Sequence, residues 1–220
     1  MTALYQLTNS ATILRTGDGA SIPADPANLD YKAYLAWVAA GNTADPVLTL
    51  PQAQAAQSAL ITAAHDAAIA AGPSCSALGT AATYPLPAAE LANLQLAYTA
   101  AQAALASPKA WASGAVVPLY EVALINGVTY LAMAAGITGA TAPSWPSAFQ
   151  QVVSDGSVQW ALAGWQLLTA SGRQWHTPPQ VIAAWQAALD LIAAAHSREA
   201  ALLAEITAAA TVAAVQAVVW

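Results

Sequence analysis

The side chains able to do chemistry in this sequence are few and scattered. His65, His176 and His196 lie far apart, and none has a second His or Cys at ligand spacing on its own element. They read as surface or interface side chains, with His65–Asp66 and His196–Glu199 as ordinary helix neighbours. Cys75 stands between Ser74 and Ser76. It would be a nucleophile only as a thiolate beside a base, and the local sequence supplies none. Gly17-Asp18-Gly19 has no following Lys-Ser/Thr and carries a carboxylate where a phosphate would sit, so it reads as a turn. No G-x-S-x-G elbow occurs. Glu121 and Asp155 come nearest to the carboxylate pair of glycoside hydrolysis. Alternation puts Glu121 on the solvent side of its strand, however, and Asp155-Gly156 reads as a turn. The aromatic residues Trp111, Tyr130, Trp145 and Trp160 could stack on sugar rings. Tyr130 and Trp160 are expected to form the core of a small β unit. That leaves Trp145, between Ser144 and Pro146, and Trp111 as the glycan-contact candidates. The expectation is a protein that is not an enzyme, with no catalytic residue, metal site or cofactor.

Composition points the same way. Only 7% of the 220 residues are charged, against about 25% in an ordinary soluble domain. Apolar residues reach 58%, but alanine supplies nearly half of these, and alanine buries little area per residue. Eight Trp and seven Tyr must therefore carry much of the packing. The net charge is −6, and the cations are Arg15, Lys32, Lys109, Arg173 and Arg198, too few for a basic stripe. Nucleic-acid binding through phosphates is excluded on that ground. So few charges also suit a surface that is covered by partner chains. The single cysteine permits no internal disulfide and suits synthesis in a cytosol. MTALYQLTNS lacks the basic and apolar regions of a signal peptide, and the uncharged run 122–154 is broken by glycines and prolines. No membrane insertion is expected.

The elements that must position these residues follow from local signals. Residues 3–16 read as two short strands around Asn9-Ser10, followed by the Gly17–Gly19 turn. Asp30 is the expected cap of a helix carrying Tyr31, Tyr34, Leu35 and Val38, closed by Gly41-Asn42. A second helix runs from Pro51 to Ala71 and stops at Gly72-Pro73. Its apolar face is read as Ala53, Ala56, Leu60 and Ala64, with His65 on the polar side. A third helix runs from Pro87 to near Ser107-Pro108. Periodicity then switches: LYEVALI and VTYLAMA flank Asn126-Gly127, while QQVVS and SVQWALA flank Asp155-Gly156, the signature of two hairpins. Thr177 and Gln180 form a capping box, with Pro178 where its missing donor does no harm. The helix that follows has Val181, Trp185, Leu189, Ile192, His196, Leu203 and Ile206 along one side, with a break near 207–211.

One stretch carries a family likeness. Arg15, Asp18-Gly19-Ala20, Ile22-Pro23, Asp25, Asn28, Asp30-Tyr31, Tyr34-Leu35, Trp37 and Gly41-Asn42-Thr43 follow a strand–DGA-IP–DY--YL-W---GNT pattern. This resembles the amino-terminal segment of small tail-fibre-associated proteins of bacteriophages and prophages, which more often have Pro where this chain has Ala44. The segment SCSALGTAATYPLPAAELANL and the closing helix from His176 to the terminal Val-Trp are similar to the middle and end of the same group. WQLLTASGRQW resembles its aromatic hairpin. Between them, Trp111, Asn126-Gly127, Tyr130, Gly136, Gly139, Pro143, Trp145-Pro146, Asp155-Gly156, Val158 and Trp160 resemble a module repeated in phage tail and fibre proteins. The Trp and -NG--Y- hairpin are also similar to small chitin-binding modules, although the Y--GD-V segment of those is absent.

The expected fold is therefore α+β: a docking hairpin and helix (1–47), Ala-rich helices (48–108), an inserted antiparallel β module (109–164), then a hairpin and long helix (165–220). The resemblance implies a bacteriophage tail structural protein at a fibre or baseplate, made in the host cytoplasm and residing in the virion tail. Its partners would be fibre or baseplate proteins and sister copies of itself. Tyr31, Tyr34, Trp37, Trp185 and Trp220 are the expected interface anchors. Two other roles fit the same likeness: a tail fibre assembly chaperone, and an adhesin that binds host surface glycans for attachment.

Overall fold

The computed structural model describes residues 4–8, 10, 12–45 and 47–220. It is an α+β structure of helices and several small antiparallel sheets. The chain divides into two compact units, Met1–Thr62 with Ala200–Trp220, and Ala63–Glu199. Residues 47, 108 and 164, the expected boundaries, mark changes of secondary structure, whereas the compact units divide inside two long helices.

The first unit opens with an antiparallel meander of β1 (Tyr5–Leu7), β2 (Thr12–Arg15) and β3 (Ala20–Pro23). The turn expected at Asn9-Ser10 falls partly outside the described residues. Alternation puts Tyr5, Ile13 and Ile22 on one buried face, with Ile13 opposite Ile22. The Gly17–Gly19 turn is tied down by Arg15, whose guanidinium donates to Asp18 (2.8 Å) and to Asp30 (2.9 Å). That pairing takes Asp30 away from capping. The cap of α1 (Leu29–Ala39) is Asn28, whose Oδ1 accepts from Tyr31 N at 3.1 Å. Gly41, at φ +89°, and Asn42, which donates to Trp37 O, close the helix. The chain then returns to the free edge of β1, where Leu7 N donates to Asp45 O and Asp45 N to Tyr5 O. The next helix, α2 (Leu50–Ala71), starts one residue before Pro51. Gln52 Oε1 accepts from both Thr49 N and Thr49 Oγ1, the reciprocal arm of a capping box.

In the second unit α2 ends at Gly72, φ +77°, where a Cβ would stand 1.7 Å from Tyr84 O. Short strands β4 (Ser74–Cys75) and β5 (Ala82–Thr83) pair beside it. Then α3 (Ala88–Ala106) buries Leu94, Ala97, Ala101 and Ala104. The β segment comprises β6 (Val116–Val117), β7 (Val122–Ile125), β8 (Val128–Ala134), β9 (Gly136–Ile137), β10 (Val152–Asp155) and β11 (Val158–Leu162). The two expected hairpins fuse through β8–β11 pairing into one sheet of order β10-β11-β8-β7, while β6 pairs with β9. Ile125 faces Val128, so Asn126 (φ +51°) and Gly127 (φ +79°) form the two-residue turn. In the second hairpin Asp155 faces Val158, so the turn is Gly156-Ser157 and not Asp155-Gly156. Val117, Ala123, Tyr130, Ala132, Val158 and Trp160 form the core of this sheet.

β12 (Trp165–Thr169) and β13 (Gly172–His176) make the aromatic hairpin, and α4 (Pro178–Ala208) begins with Thr177 N donating to Gln180 Oε1 at 2.8 Å. The buried side of α4 in this unit is Val181, Ala184, Ala188 and Ala195, with Trp185 packed against it; of the expected row, Val181 and Trp185 face the core, whereas Leu189 is exposed. Small side chains let α4 join Leu94, Ala97 and Ala101 of α3, Leu167 of β12 and Tyr84 in one core.

After Ala208 the chain breaks, as the sequence predicts, and α5 (Val212–Gln216) starts from Thr211, which accepts from Ala214 N. Ile206, Val215 and Val218 then pack with Ala53 and Ile61 to complete the first unit's helical core. Leu60, expected on the apolar face of α2, is 62% exposed. Gln54 and Gln57 donate to the carbonyls of Ile206 and Val218.

Candidate functional site

The β sheet commits its aromatic residues to itself. Trp145 lies half-buried, 4.6 Å from the Tyr130 ring and 5.6 Å from the Trp160 ring, and so caps the sheet core instead of presenting an exposed platform. Trp111 is held by its indole N–H, which donates to Asp155 Oδ2 at 2.8 Å. Trp160 Nε1 donates to the same oxygen at 3.1 Å, and Gly139 N donates to Oδ1 at 2.7 Å. Asp155 is therefore a buried acceptor hub, not a solvent turn residue. Glu121 is also inward: its side chain is only 12% exposed and pairs with Lys109. The expected solvent placement fails because Lys109 bridges to Ala123 alongside β7 and covers that edge. Asp155 is occupied by three donors and does not line a cavity with Glu121, which pairs with Lys109 at the wall of a 220 Å³ concavity, so the two do not form a carboxylate pair across one site.

A second polar cluster joins residues that no local pattern links. Tyr84 Oη lies 2.8 Å from His176 Nε2, and His176 Nδ1 lies 2.8 Å from Gln174 O. The carbonyl can only accept, so Nδ1 carries the proton, Nε2 accepts, and Tyr84 donates. His176 is fully buried, and burial pushes its pKa below the ordinary imidazole value. Burial, with the Cys75 thiol alongside, pushes Tyr84 up to about 12. Both groups are thus held neutral, and the lone pair of His176 is already taken by Tyr84. Cys75 gains a tyrosine neighbour but no free base. His176 sits 92 residues from Tyr84, which is why its role has no sequence signal.

His65, expected on the polar face of α2, is buried too. Its ring stacks on His196 at 4.9 Å, with Asp66 at 2.9 Å from Nδ1 and Glu199 at 3.7 Å from Nε2. This pair reads as helix-seam packing. Among the described residues, no group of three or more His, Cys, Asp or Glu is placed to hold one metal ion.

The five expected interface anchors all make contacts within the chain. Tyr34 and Trp37 pack edge-on against Tyr5, at 5.2 and 5.1 Å, and Tyr31 stacks on Tyr34 at 5.8 Å. Trp185 stacks on Tyr98 at 5.3 Å, and Trp220 packs on the first unit's helical core. Each keeps part of its surface in water. What α1 turns outward is mixed: Leu29 is 80% exposed and Leu35 and Val38 are partly so, alongside the charged Asp30 and Lys32.

Among the concavities of the second unit, one of 220 Å³ is lined by Trp111, Trp160, Lys109 and Glu121, and two larger ones lie beside α3. A groove of 620 Å³ runs between α3 and the β12–β13 hairpin, lined by Asn93, Leu96, Ala100, Trp165, Gln166 and Arg173 among others. Through Ala100 and Trp165 it continues into an apolar cleft of 370 Å³ reaching Tyr120 and Leu131. Neither the glycan-contact candidates nor the interface anchors lie in it.

No protein-family model matches the chain, and no match was found among the curated proteins or the solved structures compared with it. What is established is the class, an α+β protein built as two compact units. Among the described residues no helix is long and apolar enough to cross a membrane.

Proposed function

We propose that this protein is a structural component of a bacteriophage tail, held at a fibre or baseplate by protein–protein contact. The observation that carries this reading is α1, a helix of eleven residues none of which is fully buried. A helix whose aromatic side is half-covered and whose Leu29, Leu35 and Val38 face water gains stability when a partner covers it, at about 25 cal/mol per Å² of apolar surface. The fibre-protein-like residues support the reading in a specific way. Arg15, Asp18, Asn28, Asp30, Gly41 and Asn42 are the clamp, caps and turn that hold α1 in place. Such a pattern builds a scaffold for presenting one helix. The scarcity of charge, 7% of residues, suits a protein that spends its working life against others.

Mass spectrometry of purified phage particles tests the reading. The expected result is stoichiometric presence in the tail, lost when Leu35→Asp and Val38→Asp are combined in a chain that still folds. Absence from finished particles, together with a raised yield of soluble fibre on co-expression, would instead identify an assembly chaperone and end the structural proposal.

A further inference from the structure

We propose that the groove between α3 and the β12–β13 hairpin is a binding site for a neutral oligosaccharide whose sugars carry acetamido or 6-deoxy methyl groups. Three features of the groove meet there. Trp165 is a half-buried indole that packs on the core around Leu94 and Leu167, as Trp145 does on its own sheet, but unlike Trp145 it also lines both the groove and the apolar cleft beyond it. Such a ring stacks on the C–H face of a pyranose, which is apolar although its rim is hydroxylated. Three solvent-accessible planar polar groups line the same groove: Asn93 from α3, Gln166 from β12 and Arg173 from β13, the last two on the hairpin face opposite Trp165, so that the groove runs along the β12 edge. Side-chain amides and guanidinium groups present paired donors or a donor–acceptor pair in one plane, the geometry that adjacent ring hydroxyls match.

The third feature is preorganisation. Glu90 Oε1 accepts from Arg173 Nη2 at 2.7 Å, and Glu90 Oε2 lies 3.4 Å from Asn93 Nδ2. One carboxylate thus ties both walls of the groove, so less rotamer entropy is lost when a ligand arrives. The same carboxylate cancels the charge of Arg173. An anionic ligand, such as a fatty acid or a sialylated glycan, would bring its charge up against Glu90, whereas a neutral polyol meets donors and acceptors with no net field. At 620 Å³ the groove lies within the range of about 300–1,000 Å³ for small-ligand sites. The adjoining 370 Å³, lined by Ala100, Ala103, Leu131 and Tyr120, is too apolar for bare hydroxyls and suits methyl-bearing substituents. This site is distinct from Trp111 and Trp145, which the sheet consumes, and it stands whether or not the protein belongs to a phage tail.

The test is a glycan array probed with the full chain, followed by tryptophan-fluorescence titration of the strongest neutral oligosaccharide. Binding to acetamido- or 6-deoxy-bearing neutral glycans is expected. Affinity should fall at least 10-fold in Trp165→Ala and about 5- to 10-fold in Asn93→Ala and in Gln166→Ala. Asn93 and Gln166 are exposed, so their variants separate lost binding from lost folding if Trp165→Ala misfolds. No binding to any neutral glycan, binding confined to acidic glycans, or affinity unchanged in both amide variants would overturn the assignment. Glycan binding by a protein missing from phage particles would sink the tail reading alone, and tail incorporation without glycan binding would sink this one alone.

Discussion

Replacing Asp155 tests the reasoning about the β sheet most directly. Its two oxygens accept from Trp111 Nε1, Trp160 Nε1 and Gly139 N at 2.8, 3.1 and 2.7 Å. Asp155→Ala removes both acceptor oxygens and with them all three hydrogen bonds. Trp111 is half-exposed and can turn its N–H to water, so its loss is small. The indole of Trp160 is 2% exposed, so its N–H stays behind buried without an acceptor, whereas Gly139 is half-buried and its N–H is partly open to water. Stranding a buried donor costs about 1–3 kcal/mol, and bonds to a charged acceptor lie at the upper end. The sum, dominated by Trp160, is about 2–4 kcal/mol, a large fraction of the roughly 5–15 kcal/mol that holds a domain together. Asp155→Asn keeps one oxygen. Turned toward the indoles, it leaves its amide N–H₂ facing Gly139 N; flipped, it faces both indoles with donors. The expected loss is intermediate, about 1–2 kcal/mol. Urea unfolding followed by tryptophan fluorescence gives the ranking. Indole N–H proton resonances give the local check, since those of Trp111 and Trp160 should both move. A change below about 0.5 kcal/mol in Asp155→Ala, with both indole resonances unmoved, would refute the hub.

Three further outcomes follow from the same geometry. Gly72→Ala should destabilise by several kcal/mol, at least about 3, because its Cβ would stand 1.7 Å from Tyr84 O at a φ of +77°; thermal melting checks this. Burial lowers the pKa of His176, so between its folded value and the unfolded value of about 6.5 the unfolded chain binds more protons. The His176 contribution is therefore complete above about pH 7 and fades as pH falls through 6.5, and His176→Gln should show a shallower acid decline than the parent protein in pH-resolved melts. Trp145→Ala should cost about 3 kcal/mol of stability, toward the lower end of the Trp→Ala range because the ring is only half-buried; an unchanged unfolding midpoint would return Trp145 to the role of a free platform.

The elements were legible wherever the signal is local. Asn126-Gly127 needs two positive φ values, Gly72-Pro73 cannot continue a helix, and Thr177–Gln180 satisfies its own terminus, so each could be read from a few residues. The hub was not legible because of one residue of register. Reading the turn as Asp155-Gly156 puts Asp155 in solvent, while the actual turn at Gly156-Ser157 makes it the last strand residue, and in a strand that shift reverses the face. The Tyr84–His176 bond and the Glu90 tie across the groove join positions 92 and 83 residues apart, and no periodicity encodes them.

The faces of the helices were legible only in part: Ala53, Val181 and Ile206 are buried as expected, whereas Leu60 and Leu189 are not, and the reason bears on function. Periodicity gives weight to large apolar side chains, but beside Ile61, Leu94 and Val181 the same helices bury Ala101, Ala184 and Ala188 completely, positions that no large residue marks. Alanine wins those positions because helices lined with it approach closely, gaining dispersion contacts along the backbone that a branched side chain would block. Leu60, Leu96 and Leu189 are left outside. A chain with an ordinary complement of charge would place Lys or Glu there at no packing cost. This one places leucine, and at Leu96 that leucine borders the groove whose polar rim is Asn93 and Arg173. An outward apolar residue beside ordered polar groups is poorly solvated alone and well matched to a ligand that is itself half apolar and half hydroxylated. The alanine packing and the open groove thus have one origin: filling the interior with small residues displaces the large ones to the surface, where contact with another molecule is what they favour.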